Sequence, residues 1–67
     1  MNIIRCIIVE ADSAYLEQMQ SFVQKVPFLQ LKKVFSTPEE AYPFIKTQDV
    51  DLIFLEMNKA EFNAIQL

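Results

Sequence analysis

Ile3-Ile4-Arg5-Cys6-Ile7-Ile8-Val9-Glu10-Ala11-Asp12-Ser13 decides the fold. Seven residues, Ile3 to Val9, are almost continuously apolar and rich in β-branched side chains, with only Arg5 interrupting. A run of that length and type reads as a strand buried on both faces, the habit of a parallel sheet. Glu10-Ala11-Asp12-Ser13 then breaks the run and offers Asp12 or Ser13 as a helix N-cap. Downstream, Tyr15, Leu16, Met19, Phe22, Val23 and Val26 recur at helical spacing. They predict an amphipathic helix of about four turns that stops at Pro27.

The rest of the chain repeats the alternation. Leu29 to Phe35 sets Leu29, Leu31 and Phe35 against Gln30 and Lys32, a strand with one exposed face that belongs at an edge. Thr37-Pro38-Glu39-Glu40 starts a second helix with Thr37 as N-cap, Pro38 at the first helical position and Glu40 completing a capping box. Pro43 sits inside that helix, where its ring and missing N–H should kink or weaken it. Val50 to Leu55 is a second continuously apolar strand, with Asp51 at its entrance and Glu56 at its exit. Met57 to Leu67 is mixed, with Phe62 and Ile65 at helical spacing. The order strand, helix, strand, helix, strand calls for a parallel sheet with right-handed crossovers. The two most apolar strands belong inside, so the expected fold is α/β: a three-stranded parallel sheet of order 2-1-3 with two helices, the first half of a flavodoxin-like fold.

Composition narrows the chemistry. The 67 residues contain no glycine, no histidine and one cysteine, Cys6. Glycine-rich phosphate loops, histidine triads, Cys/His zinc sites and intrachain disulfides are thereby excluded. The chain is 52% hydrophobic and 22% charged, which is globular rather than disordered. A net charge of −3, with basic residues scattered apart from Lys32-Lys33, argues against nucleic-acid binding by this segment. No apolar run approaches the roughly 20 residues of a membrane span. Arg5 interrupts the N-terminal run and no small-residue cleavage site follows, so no signal peptide is expected. A lone thiol in an apolar strand suits a reducing cytoplasm. Cys6 reads as a small core hydrophobe, and Tyr15, Met19, Phe22 and Phe44 read as helix-on-sheet core rather than an interaction stripe.

Sites in open parallel sheets form beyond the carboxyl ends of the strands, where the winding changes direction. Glu10 and Glu56 flank that point between the first and third strands. Neighbouring strands lie about 4.8 Å apart, so the two carboxylates can converge, with Asp12 nearby. An oxygen-only cluster suits a hard cation such as Mg²⁺. The competing reading is that these acids cap helices and face water.

These residues carry a resemblance. Ile7-Ile8-Val9-Glu10-Ala11-Asp12-Ser13 resembles the start of a bacterial response-regulator receiver domain, where an apolar strand runs into paired aspartates. Asp51-Leu52-Ile53-Phe54-Leu55-Glu56-Met57 resembles the family's third strand, which ends in the phosphoacceptor aspartate. The segment Phe35-Ser36-Thr37-Pro38-Glu39-Glu40-Ala41 between them also suits the family, with a flavour of the receivers of LytTR-type regulators. The resemblance spans the whole chain but only the N-terminal half of the family domain. It implies a single truncated receiver-like domain over residues 1–67 in two-component (phosphorelay) signalling, with a histidine kinase or output domain as partner.

The departures from the family decide what is expected of the site. Glu56 stands at the phosphoacceptor position, and one extra C–C bond, roughly 1.5 Å, carries its carboxylate too far. Glu10 replaces the first acid of the pair. Ala11 replaces the second, which binds Mg²⁺ in the family, and has no oxygen to offer. Lys59 and Ala60 replace Met-Pro, and Ala64 replaces a glycine. Phosphoryl transfer rests on positioning and on a cation over developing charge, and both are impaired. The expectation is a pseudo-receiver that is not an enzyme, is not phosphorylated and acts through protein contacts. Glu56 would be a fixed negative charge, and Glu10 and Glu56 a degenerate metal site. An assembly half-domain without a ligand site and a simple acidic divalent-metal site are the alternatives. In such a half-domain the third strand would be an uncovered apolar edge, so the expectation is pairing with another chain, as in a dimer, or else that the chain is a fragment of a longer protein.

Overall fold

The computed structural model describes the backbone of residues 2–58 and 61–66 and the side chains of residues 2–55. The elements run β1 (Ile4–Val9), α1 (Ser13–Gln24), β2 (Leu29–Phe35), α2 (Pro38–Thr47), β3 (Leu52–Asn58) and β4 (Glu61–Gln66). β1 lies between β2 and β3, parallel to both, and β4 follows β3 antiparallel, giving the sheet order β2-β1-β3-β4. Three parallel strands in order 2-1-3 with two helices are the arrangement that the strand hydropathy predicts.

β1 is central because both of its faces are apolar. Cys6 and Ile8 pack with Met19 and Val23 of α1 and with Phe54 on one side of the sheet. Ile7 and Val9 pack with Ala41 of α2 on the other. Four consecutive residues, Cys6 to Val9, are therefore buried. Phe22, by contrast, stays 47% exposed at the rim of this core and meets Phe54 edge to face at 6.0 Å. Phe35 and Phe44 meet at 5.5 Å on the α2 side.

α1 is shorter than its apolar spacing suggests, ending at Gln24 with Lys25 as C-cap. The residue before a proline is biased away from helical backbone, which removes Val26 ahead of Pro27. The last turn closes by tighter bonds, with Lys25 N–H donating to Phe22 C=O and Val26 N–H to Val23 C=O, both 3.1 Å. These satisfy terminal carbonyls without a left-handed glycine cap. No described residue has positive φ, so the described turns need no glycine.

α2 begins with the expected capping box. Thr37 Oγ1 accepts from Glu40 N–H at 3.3 Å, and Glu40 Oε1 accepts from Thr37 N–H at 3.2 Å. The helix continues through Pro43 to Thr47, whose hydroxyl donates to Pro43 C=O at 3.0 Å.

Two features correct the sequence reading. In β2, Cys6 pairs with Leu31 but Ile7 pairs with Lys33, so Lys32 is an extra residue in a β-bulge. The bulge shifts the alternation and leaves both lysines exposed. The second correction is β4. Met57 to Leu67 reads as mixed, with Phe62 and Ile65 at helical spacing, but Met57 and Asn58 continue β3 and residues 61–66 form a strand. Residues 61–66 pair with β3, and Leu52 to Leu55 lie opposite Gln66 to Asn63. The edge of β3 is therefore covered, against the expectation of a bare edge. An antiparallel neighbour needs only a short connection, and pairing satisfies the N–H and C=O row that β3 would otherwise expose. Residues 59, 60 and 67 lie outside the described residues, so the Lys59 and Ala60 departures are not placed. Among the described residues no helix is long and apolar enough to cross a membrane.

Candidate functional site at the carboxyl end of the central strand

The sheet reverses its winding between β1 and β3, and Glu10 follows the last residue of β1 there. Its N–H donates to Phe35 C=O at 2.8 Å, which extends the β1·β2 ladder by one residue and fixes the turn into α1. Glu10 is the one buried charged residue among those described, 7% exposed. Its Oε2 accepts from the backbone N–H of Asp12 at 2.9 Å. Oε1 is also buried, and no described group donates to it. Buried carboxylate oxygens are ordinarily hydrogen-bonded, so this oxygen is the notable atom of the site.

Asp12 is the N-cap of α1. One carboxylate oxygen accepts from Ala14 N–H at 2.9 Å and Tyr15 N–H at 3.4 Å. Negative charge at this position also complements the positive end of the helix dipole. Ala11, between the two acids, is exposed and carries no ligand atom. The two acids thus work in sequence on the backbone: Glu10 holds the amide of Asp12, and Asp12 holds the first amides of α1.

The expected partner acid is placed by its backbone. The β1·β3 register ends with Val9 opposite Leu55, so Glu10 and Glu56 are the next positions on adjacent parallel strands. β3 does not end at Glu56, however; it continues to Asn58. Leu55 lies opposite Asn63 and Asn58 opposite Glu61, so Glu56 and Met57 together face the single residue Phe62 across a second bulge. Bulges occur beside functional sites, where they re-aim a side chain or end a pairing. The side chain of Glu56 lies outside the described residues. Among the described residues, no three acidic or thiol side chains gather as a metal site.

The opposite end of the sheet carries a charge network that sequence reading missed. Arg5 Nε donates to Asp51 Oδ2 at 3.0 Å and its backbone N–H to the same oxygen at 2.9 Å. Arg5 Nη1 lies 3.3 Å from Asp49. Side-chain hydrogen bonding to Asp51 raises the Arg5 pKa further. The same bond, with the backbone bond from Arg5, lowers that of Asp51, while burial opposes the shift. Asp51 N–H in turn donates to Arg5 C=O at 2.8 Å, closing the start of the β1·β3 ladder. An open cavity of about 640 Å³ lies beside this pair, lined by Ile3, Ile4 and Leu52 among others. The available signal was an arginine in a buried strand and an aspartate at the start of its expected neighbour.

Cys6 is fully buried, and burial pushes its thiol pKa up. A thiol so placed is inert as a nucleophile. Comparison with protein-family models, with curated proteins and with solved structures gives no match for this chain.

Proposed function

We propose that this chain is a receiver-like module of response-regulator type that carries no phosphoryl chemistry and acts through protein contacts. One observation carries the reading: at the switch point of the sheet, Glu10 and Asp12 are turned onto the backbone of the β1–α1 turn. In a phosphoryl-transfer site such acids would stand free to hold a cation over the reacting oxygens. Ala11 supplies no replacement ligand, and Glu56 is one methylene longer than the aspartate of the pattern it resembles.

On this reading Glu56 supplies permanent negative charge near the switch point. The partner is another protein, either a kinase or an output domain of the same signalling system, in a reducing cytoplasm. The sequence resemblance and the 2-1-3 order support the assignment. Incubation with Mg²⁺ and acetyl phosphate, followed by intact mass, tests it. No phosphoryl adduct is expected; a stable adduct on Glu56 would overturn the reading.

The buried, unpartnered Oε1 of Glu10 favours one second reading, a simple divalent-cation site at Glu10, Asp12 and Glu56. An anionic oxygen without a donor is costly to bury, and a cation would satisfy it. Titration calorimetry with Mg²⁺ and Mn²⁺ separates the two. Saturable heat that disappears in Glu10→Gln supports the cation site, and its absence supports the first reading.

A further inference from the structure

We propose that the outer edge of β4 pairs antiparallel with β4 of a second copy of this chain, closing a two-fold dimer whose sheet runs through both copies. The inference goes beyond the functional reading above and adds a second copy of this chain to the kinase or output domain proposed there. It starts from the two edges of the sheet. Every edge strand presents a row of unpaired N–H and C=O groups, a template for another strand.

The β2 edge is blunted. Lys32 is the extra residue of a bulge, and Lys32 and Lys33 are both exposed. A bulge disrupts the pairing row, and adjacent lysines oppose a like strand. The β4 edge has neither device. Among the described residues β4 has β3 as its single neighbour. Its stretch Asn63 to Gln66 keeps an unbroken register, and the extra residue of the nearby bulge lies on the inner strand, β3. The strand Glu61-Phe62-Asn63-Ala64-Ile65-Gln66 contains no proline, no glycine and no lysine, with Glu61 its sole charge.

Symmetry makes a second copy a suitable occupant. Antiparallel pairing of identical strands about a two-fold axis places one residue opposite itself, here Asn63 or Ala64. In either register the two Glu61 residues fall at opposite ends of the new ladder. At about 3.4 Å per residue they are roughly 14 Å or more apart, beyond the screening length of about 8 Å at physiological salt. The contact joins the same patch on both copies and therefore closes at two. Pairing β4 with the β2 edge of another copy would not close and would meet the bulge.

Sedimentation of the 67-residue chain at micromolar concentration is expected to show a dimer. Asn63→Lys, with unchanged circular dichroism, should weaken dimerisation about tenfold or more, equivalent to about 1.4 kcal/mol. Lys32→Thr should leave it unchanged. Under mild oxidation either Asn63→Cys or Ala64→Cys should cross-link to a dimer, since residues opposite one another lie about 4.5–5.5 Å apart at Cα, within disulfide reach. If Asn63→Lys fails to fold, the cross-linking result decides. A monomer throughout the micromolar range, open-ended oligomers, or failure of both cysteine variants to cross-link overturns the dimer. None of these outcomes bears on phosphoryl chemistry, whereas an adduct on Glu56 would overturn the functional reading and leave the dimer standing.

Discussion

Arg5 shows how a single residue can contradict its surroundings and still fit them. Placed in the central strand, its guanidinium would be costly to bury alone, yet Asp51 accepts both its side-chain and backbone N–H groups. The pair is about two-fifths exposed on either side, so its net contribution is modest. Its sign is nonetheless clear. Arg5 lowers the folded-state pKa of Asp51, so the stabilisation is complete above the unfolded carboxylate value near 4 and fades as pH falls through the lower folded value. Denaturant titrations of the protein and of Asp51→Asn should therefore show a stability gap at pH 6 that narrows from about pH 4 downward. A gap that widened with acid would contradict the pairing. Cys6 gives a second expectation at this scale. In the folded chain its thiol should be silent to aromatic disulfide reagents and should react fully once urea unfolds the chain. That silence in buffer is expected because burial both shields the sulfur and raises its pKa.

Among the elements, α2 depends most on local devices. Its capping box satisfies two N-terminal donors, and Lys46 sits in its last turn. Thr37→Ala is expected to cost about 1 kcal/mol, read as a lowered urea midpoint with an unchanged slope. Pro43→Ala restores a helical N–H and removes the ring, so the urea midpoint should rise, equivalent to a stability gain of up to about 3 kcal/mol if the helix can relax fully. The β2 range, the Thr37–Glu40 box and an N-cap at Asp12 or Ser13 are legible in the sequence because all follow from local chemistry, and the structure selects Asp12. What was hidden is non-local. The Lys32 bulge is set by the register between β1 and β2, which the alternation of one strand does not encode. β4 is not legible in the sequence because Phe62 and Ile65, three apart, are too few to separate helix from strand by period. The unpaired edge of β3 decides their state, and that edge exists only once the sheet does. At the site, Glu10 and Asp12 were found as acids after a strand, but their attachment to the β1–α1 backbone required the turn itself.

At the scale of the whole molecule, a chain of this length has little margin. Ordering costs about 1.5 kcal/mol per residue, and a single core of this size rarely leaves more than about 3–5 kcal/mol of net stability. The fully buried side chains, Ile7, Ile8, Met19 and Cys6, gather on β1 and the α1 face. Truncating one of them, as in Ile8→Ala, is expected to remove about 2–5 kcal/mol and so to unfold most of the population at room temperature, visible as lost near-ultraviolet circular dichroism. The same small margin gives the β4 edge its weight, since a second copy would add a strand neighbour to each sheet. It also makes ligand binding easy to see, because anything that binds the folded chain alone raises its melting temperature.

The central claim is that the acids at the carboxyl end of β1 serve the backbone and not a phosphoryl-transfer cation. Melting the chain over a series of MgCl₂ concentrations, at constant ionic strength and alongside Glu10→Gln, tests it most directly. The account expects the wild-type midpoint to stay constant across the series. A midpoint that climbs with Mg²⁺ in the wild type and stays flat in Glu10→Gln would contradict it.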